Sequence, residues 1–319
     1  MTTMAKVKAL RPAFVRSQPV RIARVFDDPE AVLRLLASRA PYSTTAKLHN
    51  LGETMGASAA RAPWFKGYLD DGVFLENPNW IEAARRAFEA HIVKPLSAMV
   101  NLNAATPLGV PHLDLPQFRG FGPEQAPVWL LLNMAHSGLF HDWMVPYASG
   151  LAWFYGREDG GFEYWPEGLG AASVIEQGPM YNSGVVSDNE FMWHRMQAIG
   201  TDAEQEAVGA VMRYDAVLHR VSEQVWEIRD GDKVLLRLTP DRIRISILWK
   251  AHIFTDEAHL ASFEDERFNL SVDQVTGIYL ADLHARAVDA VRPEDPLSDD
   301  SWRELLQATY SPALDHLRG

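Results

Sequence analysis

The strand pattern in the middle of this chain constrains the fold most. Asp241–Lys250 alternates with period 2 and is rich in β-branched residues, with Ile243, Ile245, Ile247 and Trp249 on one face and Arg244, Ser246 and Leu248 on the other. Gly160–Gly168 reads as a short strand bounded by glycine turns. Asn182–Asn189 reads as a turn, an apolar strand and a second turn that leads to His194. These segments place a strand-rich zone at residues 105–255. On either side the apolar spacing changes to that of helices. Asp28-Pro29-Glu30 supplies an N-cap and a proline at the first helical position, followed by Ala31, Val32, Leu35 and Leu36. A second helix is expected from near Pro78 to His91, with Ile81, Ala84 and Phe88 inward. Two more are expected after residue 256, one over Val272–Ala287 and one over Trp302–Thr309 that ends at Pro312. The expectation is one α+β domain over 1–319: a mainly helical region at 1–104, a strand core at 105–255, and a helical region at 256–319.

The chemistry concentrates in the strand zone. Pro111-His112-Leu113-Asp114 puts an imidazole and a carboxylate two residues apart, on one face if the backbone is extended. A second imidazole from a later strand would complete a 2-His-1-carboxylate set, which leaves open positions on one side of a metal and marks non-haem Fe(II) oxygenases. His194 is the expected partner. His219 competes, lying 25 residues before Arg244, and His136 and His141 compete less strongly. Each of these residues also has a plain reading, as a strand or turn residue with no metal. Arg244 and Ser246 share a face, and an arginine inside a barrel needs a buried anion to offset its desolvation. Arg242 is the alternative. Asn133, after the apolar run Trp129–Leu132, could hydrogen-bond a cosubstrate. Trp129, Trp153 and Trp165 are core or pocket-wall residues.

In this order, His112-x-Asp114, Gly160–Tyr164, Gly184-Val185-Val186 leading to His194, and Arg244-x-Ser246 resemble the Fe(II)- and 2-oxoglutarate-dependent dioxygenases. The resemblance covers about half the chain. It implies a double-stranded β-helix (jelly roll) core buttressed by the terminal helices. His112, Asp114 and His194 would hold Fe(II), and Arg244, Ser246 and Asn133 would contact the cosubstrate 2-oxoglutarate. The activity implied is oxidation, most simply hydroxylation, of a C–H bond in a small organic molecule, using O2 and releasing succinate and CO2. In related halogenases a small residue vacates the carboxylate position, so an intact Asp114 points away from halogenation. The alternative class is a cupin-like metal-binding protein or a metal-dependent isomerase or hydrolase without O2 chemistry. Such a protein has no use for a buried carboxylate clamp.

The chain departs from the family in one respect: 50 residues separate His194 from Arg244. An insertion at 200–240 is expected, helical near Ala203–Met212 and ending in a hairpin that turns at Asp230-Gly231-Asp232. It would serve as a lid, or it would extend the sheet or form a subunit contact, as in a homodimer. Substrate contacts are expected from Asn50–Asp70, Gln117–Gln125, Gly138–Gly150 and Gly200–Pro240.

Composition adds exclusions. The absence of cysteine removes disulfides, zinc–thiolate sites and cysteine nucleophiles, and fits a cytoplasmic protein. No signal peptide or membrane-spanning run is evident. A formal net charge of −12 argues against nucleic acid as the main partner.

Overall fold

The computed structural model describes residues 18–48 and 62–311. The expectation at Pro312, and most of the Asn50–Asp70 segment, lie outside them.

Among the described residues, thirteen strands form two antiparallel sheets. In chain order they are β1 (Val20–Ile22), β2 (Tyr42–Thr44), β3 (Trp64–Leu69), β4 (Ile92–Asn103), β5 (Tyr147–Tyr155), β6 (Phe162–Trp165), β7 (Val174–Glu176), β8 (Met180–Ser187), β9 (Trp193–Met196), β10 (Val217–Ser222), β11 (Val225–Asp230), β12 (Lys233–Leu238) and β13 (Arg244–Phe254). The large sheet has ten strands in the order β1-β8-β5-β13-β4-β3-β2-β10-β11-β12, and the small one has three, β7-β6-β9. A backbone bridge between His112 and His194 adds the 112–114 segment beside β9. The chain therefore shuttles between sheets: β4 large, 112–114 small, β5 large, β6 and β7 small, β8 large, β9 small, β13 large.

β13 is the central plank. It pairs with β4 over eleven residues, from Arg244↔Asn103 to Phe254↔Ile92, and with β5 on its other side. Its odd-numbered face packs into the main core. There Trp249 stacks on Trp80 of the Pro78–Phe88 helix, with ring centroids 5.9 Å apart and planes 7° apart. The opposite face of the large sheet meets the small sheet across a second cluster of Trp153, Phe162, Tyr164, Met180, Val185 and Met192. A third cluster joins Phe118, Phe121 and the Val128–Ser137 helix to the Val272–Ala285 and Asp300–Tyr310 helices.

The expected helices form. Asp28 caps Pro29–Ser38 by accepting from Ala31 N–H, and Val32 and Leu36 are buried. In the Pro78–Phe88 helix the buried stripe is Trp80, Ala83, Ala84 and Ala87, rotated from the one expected, so Ile81 and Phe88 are only half-buried. The helical reading of 1–104 is corrected. β4 is twelve residues long, and β1, β2 and β3 also lie in this region. Lys250 pairs with Ser97 and Ala251 with Pro95, so β4 itself bulges at Leu96, and this irregularity beside Pro95 masked its strand signal.

The insertion is built as expected, with a helix at Asp202–Val211 and a β11–β12 hairpin closing at Gly231 (φ 56°). β10 pairs with β2, so the hairpin prolongs the large sheet, while the helix and Leu236–Leu238 line a cavity with Arg157 and Arg242, the residues that flank β5 and β13.

Candidate metal centre

Extended backbone brings the three expected ligands together. His112 and His194 face each other across an antiparallel bridge in which each N–H donates to the other's carbonyl, at 3.0 and 3.1 Å. Two residues on, Asp114 N–H donates to Asn189 O at 2.8 Å, so Asp114 projects from the same face as His112. The imidazole centroids are 4.5 Å apart. One donor atom from each of His112, Asp114 and His194 lies within 4.8 Å of the others.

Each imidazole is oriented by its own backbone. His112 Nδ1 lies 2.9 Å from Val110 O, and His194 Nδ1 lies 3.0 Å from Met192 O. Both rings therefore carry the proton on Nδ1 and leave the Nε2 lone pair directed inward. Surrounding protein, and then the neighbouring His194 ring, hold the His112 pKa below its usual value, which keeps it a neutral donor. Asp114 Oδ1 is 3.5 Å from His194 Nε2. Ligand arms of ~2.1 Å at right angles place donors about 3 Å apart, so a small contraction closes this set on one ion. Two nitrogens and one carboxylate oxygen on one side of a point suit a borderline divalent metal, with the far side open.

The second Asp114 oxygen is already engaged. Lys250 Nζ donates to Asp114 Oδ2, Glu190 Oε1 and Ser149 Oγ, each at 2.6 Å, which uses all three ammonium hydrogens. Glu190 is buried, and its Oε2 makes no hydrogen bond among the described residues. Burial alone would lower the Lys250 pKa, but Asp114 and Glu190 outweigh it and hold the ammonium above its ordinary value. Burial alone would raise Asp114, yet Lys250 and His194 keep its carboxyl well below the usual range. Burial raises Glu190. Asp114 is thus an ionised, oriented donor offering one oxygen. The sequence reading missed Lys250 and Glu190. The signal was present, because the face that carries Arg244 and Ser246 continues at period 2 to Lys250.

Arg244 lies at the start of β13, 3% exposed. Its Nε donates to Gly160 O at 2.5 Å, and it makes no ion pair among the described residues. Burial lowers its pKa to about 10, so it remains a cation at neutral pH. Ser246, also buried, follows on the same face. The register of the small sheet links the two ends of the site. Tyr164 pairs with His194, and Gly160, which receives Arg244, is four residues earlier. That is roughly 13 Å of extended backbone. The Phe162 ring lies between these ends, 5.5 Å from both His194 and Trp153.

The other expected positions lie elsewhere. Asn133 is corrected: its amide donates to Leu306 O and its carbonyl accepts from Tyr279 O–H, inside the helical cluster. Those bonds occupy both ends of the side chain. Arg242 sits in a short helical turn before β13 with an exposed side chain, so it does not share the interior face. His219 lies on β10 opposite Glu227, in the sheet extension. His136 stacks on Trp193 and His141 packs on Phe191. Trp129 joins the helical cluster and Trp165 carries Arg195 over its ring, while Trp153 lines the interior. Among the described residues, no helix is long and apolar enough to cross a membrane.

Comparison with known proteins yields distant likenesses only. No family model matches the chain, and no curated protein does. Several solved structures align with it. An oxidoreductase of the 2OG-Fe(II) oxygenase family from Burkholderia pseudomallei is 11% identical, over 74% of this chain and 85% of that one, with a TM-score of 0.38. A prolyl-4-hydroxylase from Pseudomonas putida is 11% identical over 75% and 94%, at 0.38. HygX from Streptomyces hygroscopicus, solved with nickel, 2-oxoglutarate and hygromycin B, is 10% identical over 75% and 84%, at 0.39. Likeness at this level transfers no residue role and no substrate.

Proposed function

We propose that this protein is a non-haem Fe(II)- and 2-oxoglutarate-dependent dioxygenase. It would hydroxylate, or otherwise oxidise, a C–H bond of a small organic molecule and release succinate and CO2. The observation that carries this reading is the convergence of His112, Asp114 and His194 within 4.8 Å, with both imidazoles oriented by backbone carbonyls. The strand order supports it. The alternation of β4, 112–114, β5, β6, β7, β8, β9 and β13 between two facing sheets is the order that a jelly roll would have.

In this reading His112, Asp114 and His194 hold Fe(II). When bound, the metal and 2-oxoglutarate supply the redox chemistry with O2. The chain's own residues do the rest. Val110 O and Met192 O fix the imidazoles, and Lys250 keeps Asp114 to one donor oxygen, which preserves open positions on the metal. Arg244 receives the distal carboxylate of 2-oxoglutarate, with Ser246 beside it. Phe162 and Trp153 form a dry wall between metal and clamp. Arg244 also argues against a metal-dependent isomerase or hydrolase, because a buried guanidinium without an anionic partner has no role there.

The test is anaerobic titration of Fe(II) and then 2-oxoglutarate, followed by the visible metal-to-ligand band. The band is expected in the parent protein and absent from Asp114→Ala and His112→Ala. A parent protein without it, or an Asp114→Ala variant that still turns over, refutes the proposal.

A further inference from the structure

The large sheet is wider than the small sheet that faces it. The small sheet packs over β8 and β5, and Arg244 of β13 reaches its edge at Gly160, while β4, β3 and β2 continue the same face beyond the metal centre. Register identifies what this shelf presents. Ser246 lies opposite Asn101 on β4, Asn101 opposite Lys66 on β3, and Lys66 opposite Ser43 on β2. The neighbouring residues Phe65, Val100 and Ile247 are buried in the core on the other side, which fixes Lys66 on the metal face. A row of polar groups thus runs sideways from the cosubstrate clamp, with Lys66 in the middle.

Lys66 is half-buried and makes no hydrogen bond or ion pair within 4 Å among the described residues. It nevertheless lies within electrostatic reach of Asp114, Lys250 and His112. Asp114 is not its partner in this structure, where Lys250 holds Oδ2 and Oδ1 faces His194. Lysine rarely gives up water without a partner. A partly desolvated ammonium aimed at a metal centre and left unpaired marks the place of an anion that arrives with a ligand.

We infer that Lys66 binds an anionic group, a carboxylate in the simplest case, on the molecule to be oxidised, and so selects organic acids over neutral compounds. This rests on the proposed function and names the substrate class for it. Arg244 and Lys66 then divide the work: one receives the cosubstrate's distal carboxylate inside the barrel, the other the substrate's anion on the neighbouring sheet face. Asn101 stands between them as a hydrogen-bonding floor.

The experiment uses full-length protein loaded with Ni(II) and 2-oxoglutarate, which cannot turn over. Calorimetry measures binding of phenylacetate against phenylacetamide and of indole-3-acetate against indole-3-acetamide. The parent protein is expected to prefer each acid over its amide by about tenfold or more, the scale of one charge-assisted pair. Lys66→Met should abolish that preference and leave 2-oxoglutarate affinity within twofold. Lys66→Gln is the second variant, and near-UV circular dichroism checks that both fold. The inference is overturned if the parent shows no preference for acids, or if the preference survives in Lys66→Met. It is equally overturned if Lys66→Met loses 2-oxoglutarate itself, which would make Lys66 part of the cosubstrate site. Failure to load metal and cosubstrate would refute the proposed function instead. The acid–amide comparison is then run on metal-free protein with the same criteria.

Discussion

At the scale of single residues, buried charge decides most. Lys250 joins buried Glu190 to half-buried Asp114, and removing one member of such a set leaves the others uncompensated, at a cost of about 3–5 kcal/mol. Lys250→Met should lose roughly that much stability in urea denaturation, while Lys250→Met/Glu190→Gln should lose clearly less. An equal loss in both would mean that Glu190 is not balanced by Lys250. Divalent metal should restore part of the single variant's stability, because it supplies the missing positive charge at Asp114. Arg244→Lys keeps a charge but loses the planar fork and the Nε bond to Gly160 O. A fall in 2-oxoglutarate affinity of about 30- to 150-fold is expected, equivalent to ~2–3 kcal/mol, and a titration reads it directly. An unchanged affinity would move the clamp away from Arg244. At this scale the sequence was legible where spacing alone sets geometry: His112 and Asp114 are two apart on extended backbone, and so are Arg244 and Ser246. Asn133 was not legible, since a polar residue after an apolar run looks the same whether it faces a ligand or a neighbouring helix. Lys66 was hidden because only the pairing of β3 with β4 places it on the face of the candidate metal centre.

At the scale of elements, the insertion between His194 and Arg244 is the clearest case. Its helix starts with a capping box, Thr201 with Glu204, and Glu204 also receives Arg157 through two bonds of 3.1 Å. The Arg157 bond, then the Thr201 N–H, hold the Glu204 pKa down at about 2, against an ordinary 4.5. A depressed carboxyl stabilises the fold above its unfolded pKa, and that stability disappears as pH falls from about 4.5 through about 2. Glu204→Gln should therefore cost about 1 kcal/mol at pH 7, allowing for solvent screening, and the difference from parent should close towards pH 2. Chemical denaturation at pH 7, 4 and 3 follows it, and a gap that stays constant would show that the carboxylate charge is not the cause. The helix and hairpin were legible locally, from a run of helix formers and an Asp-Gly turn. Their position was not, because β10 finds its partner in β2, more than 170 residues earlier. Deleting β11–β12 should leave metal and 2-oxoglutarate binding intact, in keeping with a sheet extension. Loss of either would bring back a role at the site.

At the scale of the whole molecule, β13 couples core and site through its two faces. Trp249 stacks on Trp80 on one side, and Arg244, Ser246 and Lys250 serve the interior on the other. Gly150, beside Trp249 on β5, leaves room for this stack, since a Cβ there would stand 2.7 Å from the Trp80 ring. Trp80→Ala should cost about 3–5 kcal/mol. Gly150→Ala should cost about 1–3 kcal/mol through overpacking, and thermal unfolding ranks the two. A neutral Gly150→Ala would show that the stack has slack. The α+β class was legible from the change of period along the chain. The sheet order was not, because it depends on pairings such as β13 with β4 that span about 150 residues.

The mutual backbone bonds between His112 and His194 carry a last consequence. Two of the three proposed ligands are held at fixed separation by main chain alone, so the centre is assembled before any ion enters. A site shaped in advance by nitrogen and oxygen donors follows the general affinity order of the first-row metals, in which iron is outcompeted by nickel, copper and zinc. The protein then has no means of its own to insist on iron. Which ion it carries becomes a question of supply, and preparations purified from different sources should differ in metal content while keeping one and the same fold.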